Sequence, residues 1–253
     1  MAQKRLRIFA GPNGSGKSSM LRAIISSVPL GFYINADEIE KLISAEKEIN
    51  LSKFGVTAEN KKLLDFFKKS GFVRSKSDSE ELGKTFSIKN NVLQSSHSNI
   101  HPKYSAAIIA EFLREENLSA GNDFSFETVM SHENKLEFIR KANRNGFHVY
   151  LYFICTDDVR VNIERVKTRV KEGGHSVPEE KIRTRYLRTL NLLYDTLKIC
   201  YKSYLFDNSD QFRQVAMVDR DKTLYFNVQP NVLPTWFVFT VIAKQKGTME
   251  KVD

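Results

Sequence analysis

The sequence predicts an α/β fold in which a parallel sheet is flanked by helices. Short apolar runs typical of buried strands alternate with segments whose apolar residues recur at helical spacing. The connections between them are short, and this alternation is typical of parallel sheets covered by helices. A glycine-rich stretch, GPNGSGKSS at residues 11–19, separates the first predicted strand from the first predicted helix.

Each predicted strand is a short apolar or alternating run. The strands are predicted at residues 6–10, 32–35, 123–127, 147–154 and 204–207, followed by a hairpin at 214–218 and 223–228 around the turn DRDK. Each predicted helix carries apolar residues three and four positions apart. The helices are predicted at residues 19–27, 38–49, 104–117, 132–145, 159–170 and 179–201.

Two regions depart from this alternation. In residues 50–102, Thr57 is a candidate cap for a helix that carries Leu63 and Phe67, whereas the stretch beyond Gly71 is rich in Ser, Lys and Asn. We interpret this region as a helical insertion that caps the site. After residue 230 no element is clearly indicated, and WFVFTVI at residues 236–242 is interpreted as a terminal strand or a partner surface.

The composition is that of an ordinary globular protein. The 253 residues are 41% hydrophobic and 27% charged, which argues against disorder. No apolar run approaches the length of a membrane span, and the first one ends at Ala10, too early for a secretory signal. We therefore expect a cytoplasmic protein without a membrane partner. Cys155 and Cys200 are expected to be buried thiols in a reducing compartment.

The chain is basic, with a formal net charge of +9 and a pI of about 9.4. This balance suits a polyanionic partner, which would be a nucleic acid, a nucleotide-linked substrate or an acidic protein. Charge alone does not choose among them.

The stretch at residues 11–18 matches G-x-x-x-x-G-K-[ST], a pattern that binds phosphates when it lies between a strand and a helix. Glycines allow successive backbone N–H groups to turn toward phosphate oxygens, and the helix N-terminus adds its positive end. Lys17 would contact the β and γ phosphates of ATP, and the Ser18 hydroxyl would bind Mg²⁺. The predicted cofactor-binding residues are Gly11, Pro12, Asn13, Gly14, Ser15, Gly16, Lys17, Ser18 and Ser19.

Further candidates follow the other predicted strands, because ligands gather at the carboxyl ends of parallel strands. Asp37 would accept the proton of an attacking hydroxyl as general base, although its position also fits a helix cap. Glu127 would hold Mg²⁺ or the substrate, or pair with Lys17 or an arginine. Thr128 would contact the substrate or cap the following helix.

Arginines flank the loop GGHSVP at residues 173–178. Arg165 and Arg169 lie four residues apart on one predicted helix, and Arg183, Arg185 and Arg188 follow the loop. Arginines beside a mobile loop would neutralise charge on a transferring phosphoryl group as the loop closes. A solvated basic face would account for some of these residues.

His175, inside this loop, is expected to contact phosphate or substrate rather than a metal, because no second ligand stands at zinc spacing.

Five stretches of this chain resemble the zeta toxin family of bacterial P-loop kinases: GPNGSGKSS, NADEI, FSFETVMS, RVKTRVKEGGHSVPEEKIRTRYLRTL and FDNS. The similarity covers about residues 4–210, is poor at 50–100 and is most specific at GGHSVP. Members of that family use ATP to phosphorylate the sugar of UDP-N-acetylglucosamine and are held inactive by a small helical antitoxin. The resemblance therefore implies, as expectations for this chain, the same ATP-dependent kinase activity and inhibition by a small antitoxin.

The resemblance also implies a kinase-like P-loop NTPase fold and a role for each matching residue. Asp37 would be the base, Lys17 and Ser18 would bind phosphate, and Glu127 would be a structural or magnesium-related acid. Arg165 and Arg169 would stabilise charge, and Asn208, in FDNS, would lie near the adenine.

The expected P-loop kinase domain spans residues 1–210, with a substrate cap at about 50–102 and a lid at 171–178. A C-terminal hairpin and extension would follow at 211–253.

Two alternatives stay open at this stage. A kinase acting on a nucleic acid or nucleoside would suit the net charge of +9, although RNA-binding signatures are absent from the sequence. A non-enzymatic module whose nucleotide state switches its affinity for a partner would carry the same phosphate-binding loop.

Overall fold

The computed structural model describes residues 3–96, 101–174 and 176–245. These residues form two compact units. The first comprises the described residues of Met1–Pro29 and Glu127–Asp253, and the second is Leu30–Phe126. The predicted insertion at 50–102 falls inside the second unit.

The elements of the described residues follow in chain order. The strands are β1 (Arg5–Ala10), β2 (Phe32–Ile34), β3 (Glu48–Asn50), β4 (Phe86–Lys89), β5 (Val92–Ser95), β6 (Phe124–Thr128), β7 (His148–Cys155), β8 (Lys202–Asp207), β9 (Arg213–Val218) and β10 (Leu224–Phe226). The helices are α1 (Lys17–Ile24), α2 (Ala36–Ala45), α3 (Asn60–Lys69), α4 (Lys76–Thr85), α5 (Pro102–Ala120), α6 (Asn134–Arg144), α7 (Val159–Lys171), α8 (Glu179–Ile199) and α9 (Thr235–Phe237).

In the first unit, five strands are hydrogen-bonded in the order β10-β9-β8-β7-β1. β1, β7 and β8 are parallel, with Ala10 opposite Phe153 and Cys155 opposite Asp207, whereas β9 and β10 are antiparallel. Parallel strands end at the same edge of a sheet. The segments that follow β1, β7 and β8 therefore meet at one edge, and the candidate site is built there.

The C-terminal segment of the first unit is helical. Trp236 is 3% exposed, and its indole N–H donates to the carboxylate of Asp207 at 3.0 Å, while its backbone N–H donates to Asp157 at 2.9 Å. A π-helical stretch at Val238–Ile242 continues from α9. The terminal strand predicted as one option for WFVFTVI is therefore wrong, because these backbone groups bond within a helix anchored by two carboxylates.

In the second unit, β2 and β6 are parallel, and α2 packs against the long helix α5. The insertion is not only helical: β3, β5 and β4 form an antiparallel three-stranded sheet. These strands are three or four residues long, too short to give a strong alternating pattern. α3 begins at Asn60 with Glu59 at its N-cap, so the predicted cap at Thr57 is wrong.

Both cysteines are buried free thiols, as predicted. Burial raises the pKa of the Cys155 thiol well above its usual range and that of Cys200 to about 12. Both side chains are therefore protonated and act as small apolar groups.

The predicted fold class is confirmed: mostly parallel strands are flanked by helices. In the part of the chain that the structure describes, no helix combines the length and apolar character needed to cross a membrane. The domain boundary at residue 210, the cap at 50–102 and the lid at 171–178 stay predictions.

Candidate nucleotide site

The loop between β1 and α1 adopts a conformation that requires glycine at three positions, Gly11, Gly14 and Gly16. Gly14 and Gly16 have φ angles of +78° and +101°. A Cβ on Gly14 would lie 2.3 Å from the backbone oxygen of Asn162, and one on Gly16 would lie 2.4 Å from the side-chain nitrogen of Asn208. The loop therefore needs glycine both for its backbone angles and for its close contact with neighbouring residues.

The start of α1 faces the loop without a side-chain cap. Gly16 occupies the N-cap position and makes no side-chain hydrogen bond. First-turn amides such as those of Ser18 and Ser19 have no acceptor within the helix, which makes this end suited to an anion. The ammonium of Lys17 donates to the carbonyls of Gly11 and Pro12, at 2.9 and 3.0 Å. Its positive charge is thus held at the loop.

One buried hydroxyl in the loop fits the presence of a phosphate ligand. Ser15 is fully buried, and its Oγ has no hydrogen-bond partner among the described residues. A buried polar atom without a partner is costly, so such atoms commonly mark a place for a ligand or water.

The tip of the loop is held by α7. The side chain of Asn162, 0% exposed, donates from Nδ2 to the carbonyl of Asn13 at 2.7 Å and accepts at Oδ1 from the Thr156 hydroxyl. Arg185 on α8 approaches the same tip, with Nη1 3.4 Å from Oδ1 of Asn13. Sequence reasoning missed Asn162. The available signal was a polar residue on the apolar stripe of α7, in line with Val159 and Val166.

Asn208, just after β8, also lies against the loop. Its side-chain Nδ2 donates to the carbonyl of Ser15 at 2.9 Å, and its backbone carbonyl accepts from Nη1 of Arg165 at 2.8 Å. Its backbone N–H donates to the backbone carbonyl of Cys155 at 2.8 Å. The Asn208 side chain, expected near the adenine, is thus bonded to the glycine-rich loop at residues 11–18.

The five candidate arginines have different surroundings. Arg165 is half-buried beside Asn208, and Arg185 is half-buried at the loop tip. Arg183 is paired with Glu179 at 2.7 Å on the surface, and Arg188 is exposed. Arg169 is exposed near the end of α7, where the N–H of Gly174 donates to its carbonyl at 2.8 Å. Arg185 therefore contacts the loop directly, whereas Arg165 contacts Asn208, which is itself bonded to the loop.

His175, the predicted phosphate or substrate contact, lies outside the described residues. Beside it, the Gly173 N–H donates to the carbonyl of Val170 at 3.0 Å, and Gly173 has a φ angle of +85°. This left-handed residue ends α7, as glycine commonly does.

Glu127 and Thr128 end β6 in the first unit. The Thr128 carbonyl accepts from the N–H of Gly11 at 3.3 Å, and its hydroxyl accepts from the N–H of Met130 at 3.1 Å. α6 has Glu133 at its N-cap, so the alternative in which Thr128 caps this helix is wrong. Glu127 is half-buried one residue before Thr128.

Two further groups fix the connection between β7 and α7. The hydroxyl of Tyr186 donates to the carbonyl of Thr156 at 2.7 Å, and burial raises its pKa, so it stays a proton donor. Asp158 caps α7 by accepting from the N–H of Arg160 at 2.8 Å. Hydrogen bonds from Arg160 lower the pKa of the Asp158 carboxyl, which is therefore ionised.

Asp37 belongs to the second unit, three residues after β2. It is exposed in the first turn of α2, where a negative charge is favourable. The helix is capped by Asn35, whose Oδ1 accepts from the N–H of Asp37 at 2.8 Å. The alternative in which Asp37 itself caps the helix is therefore wrong.

The donor set suits Mg²⁺ held mainly by a nucleotide. No group of three His, Cys, Asp or Glu residues able to hold a metal ion occurs within residues 3–96, 101–174 and 176–245. Mg²⁺ is commonly bound by one or two protein oxygens together with phosphates and water. Ser18 and Glu127 provide oxygens of that type.

No protein-family model matches the chain. An uncharacterized protein of Haemophilus influenzae is 36% identical over 63 residues, which is 25% of this chain and 45% of that protein. One chain of the AvrRxo1-ORF1:AvrRxo1-ORF2 complex with ATP aligns at a TM-score of 0.51 and 14% identity, over 89% of this chain and 61% of that chain. The PezAT toxin-antitoxin system of Streptococcus pneumoniae aligns at a TM-score of 0.48 and 12% identity, over 100% of this chain and 85% of that chain.

This chain thus spans less than two thirds of the AvrRxo1 chain and less than half of the Haemophilus protein. At such low identity, the likeness to the AvrRxo1 chain concerns the fold alone. The likeness to the AvrRxo1 chain agrees with the predicted α/β fold class.

Proposed function

We propose that this protein is an ATP-dependent phosphotransferase that moves the γ-phosphate of ATP to a hydroxyl of a small molecule. The observation that carries the proposal is the loop at residues 11–18: glycines in left-handed conformations lead into an uncapped helix, with the Lys17 ammonium held at the loop. These are the features of a phosphate cradle.

Residues of the first unit would bind and orient the triphosphate. Loop amides and Lys17 would contact the phosphates, and Ser18 and Glu127 would hold Mg²⁺, which neutralises phosphate charge when bound. Arg165 and Arg185 would face the charge that develops on the transferred group, with Arg169 and His175 approaching as the lid at 171–178 closes. Thr128 would bind the substrate.

Asp37 would act as the general base. Its place after β2 follows the rule that ligands gather at strand ends, and its exposed carboxylate is available to a hydroxyl. The acceptor class we propose, from the resemblance to zeta toxins, is a UDP-amino sugar such as UDP-N-acetylglucosamine. Residues 50–102 would cover it.

We also propose a small antitoxin as partner. AvrRxo1-ORF1 was crystallised in complex with AvrRxo1-ORF2, and members of the zeta toxin family are blocked by an antitoxin. Binding of the product of a neighbouring gene, with loss of ATP binding, would support this partner.

The decisive experiment uses ATP labelled at the γ-phosphate, Mg²⁺ and a metabolite extract. The protein should transfer label to one low-molecular-weight compound, and Lys17→Met should abolish the transfer. Label on nucleic acid or nucleoside ends would favour the second candidate, which the net charge of +9 supports. Slow hydrolysis that no acceptor accelerates would contradict the kinase and leave a nucleotide-dependent binding module.

A further inference from the structure

Two asparagine side chains hold the outside of the phosphate loop at alternate peptide groups. Asn162 on α7 donates to the carbonyl of Asn13 at 2.7 Å, and Asn208 after β8 donates to the carbonyl of Ser15 at 2.9 Å. The two elements approach the loop so closely that Gly14 and Gly16 have no room for a Cβ against them.

These bonds set the direction of the next N–H groups. A trans peptide is planar, and its C=O and N–H point in opposite directions. No described peptide bond is cis. With the Asn13 carbonyl bonded to Asn162, the N–H of Gly14 must point away from α7. With the Ser15 carbonyl bonded to Asn208, the N–H of Gly16 must point away from Asn208.

The Asn162 amide is itself fixed in one orientation. Its Oδ1 accepts from the Thr156 hydroxyl, and its Nδ2 faces a carbonyl, which can only accept. Both Asn162 and Thr156 are fully buried, so water does not compete for these bonds. Both asparagines are also close to Arg165. This arginine lies one turn along α7 from Asn162, and its guanidinium donates to the backbone carbonyl of Asn208.

We propose that Asn162 and Asn208 are positioning residues that aim the Gly14 and Gly16 amides at the nucleotide phosphates and hold the loop in register with Arg165. The inference rests on the proposed function, because it assigns these residues to the same nucleotide site. It goes beyond that function in two ways. Asn208 is assigned to holding the loop, and Asn162, with Thr156 behind it, is assigned to the nucleotide site for the first time.

The test uses the full chain with Asn162→Asp and Asn208→Asp, which keep the side-chain shape and replace the donor with an oxygen. Asn117→Asp is the matched control. Asn117 is as buried as Asn162, and its Nδ2 donates to the carbonyls of Phe54 and Leu113 at 2.8 Å, far along the chain from the loop.

Two readouts are compared. Hydrogen exchange of the peptide covering residues 11–19 in nucleotide-free protein should be faster in the two loop variants and unchanged in Asn117→Asp. Affinity for ATP with Mg²⁺ should fall at least about tenfold in the loop variants, as expected for losing a buried hydrogen bond. Affinity for AMP should change less, because AMP lacks the β and γ phosphates; a general loss of structure would weaken both.

Thr156 provides a second pair of variants if Asn162→Asp does not fold. Thr156→Ser keeps the hydroxyl and should bind ATP as the wild type does, whereas Thr156→Val should weaken ATP binding and speed exchange of residues 11–19.

Unchanged exchange and ATP affinity in both loop variants would overturn the inference, as would an equal loss in Asn117→Asp or equal behaviour of the two Thr156 variants. If the wild type bound no ATP, the proposed function would fail, and the exchange data would still decide whether these residues position the loop.

Discussion

Arg183 and Arg185 stand two residues apart on α8, yet they meet different partners. Arg183 is paired with Glu179 on the surface, and Arg185 approaches Asn13 at the tip of the phosphate loop. Two residues along a helix rotate the side chain by more than half a turn, so neighbours in sequence point to different surroundings.

Replacing Arg185 should therefore impair transfer, and replacing Arg183 should not. We expect Arg185→Ala to lower kcat/KM for ATP by on the order of 10²-fold, the loss typical of one charge-stabilising group. Arg183→Ala should stay within about twofold, because an exposed ion pair contributes little. Steady-state kinetics measures kcat/KM for both variants. Equal losses would contradict a role for Arg185 in stabilising charge on the transferred group.

The role of general base proposed for Asp37 has a distinct kinetic signature, because a base acts on the chemical step rather than on ATP binding. Asp37→Asn should lower kcat by about 10²- to 10⁴-fold while leaving the dissociation constant for ATP unchanged. Glu38→Gln is the control, because Glu38 is the next exposed acid in the same helical turn. Normal turnover by Asp37→Asn, measured with the acceptor identified by label transfer, would remove Asp37 from the mechanism.

The loop at residues 11–18 has a backbone shape that tolerates little change at its glycines. Gly14 has a positive φ and lies against the backbone of α7, whereas Gly71 is in a turn with nothing within 4 Å of where its Cβ would be. The two glycines thus offer a matched comparison of the same substitution.

Gly14→Ala should lose ATP binding and cost about 1–3 kcal/mol of stability, because the new Cβ both strains the backbone and meets Asn162. Gly71→Ala should change the free energy of unfolding by no more than about 0.5 kcal/mol. Urea unfolding and ATP titration measure both effects. If Gly14→Ala bound ATP normally, the loop would not need the conformation described here.

Over the whole molecule, the C-terminal segment is tied to the edge of the sheet that carries the phosphate loop. Trp236 bonds to Asp157 and Asp207, which follow β7 and end β8, and its ring packs against Phe153. The structure thus assigns these two carboxylates at the strand ends to anchoring the chain.

Removing this anchor should be costly. Trp236→Ala should lower the free energy of unfolding by about 3–5 kcal/mol, through lost burial and loss of the indole hydrogen bond to Asp207. Phe239→Ala, at a position 70% exposed, should change it by less than about 0.5 kcal/mol. The urea midpoint reports the difference. Identical midpoints for both variants would show that the segment does not contribute to the cooperative fold.

The sequence by itself determined the phosphate loop, the order of the main strands and helices, and the α/β class. These depend on local rules: glycine at left-handed positions, apolar residues at strand or helix spacing, and short connections. Lys17 and Ser18 could be named as candidates because their proposed roles depend only on their spacing from the glycines.

Only the tertiary structure decided which distant residues meet. Asn13 is held by Asn162, 149 positions later, and Ser15 by Asn208, 193 positions later. The three-stranded sheet of the second unit and the helical C-terminus were likewise missed. Their stability comes from pairing and burial between segments far apart in the chain. The residue spacing within one segment does not indicate which distant segment it will pack against.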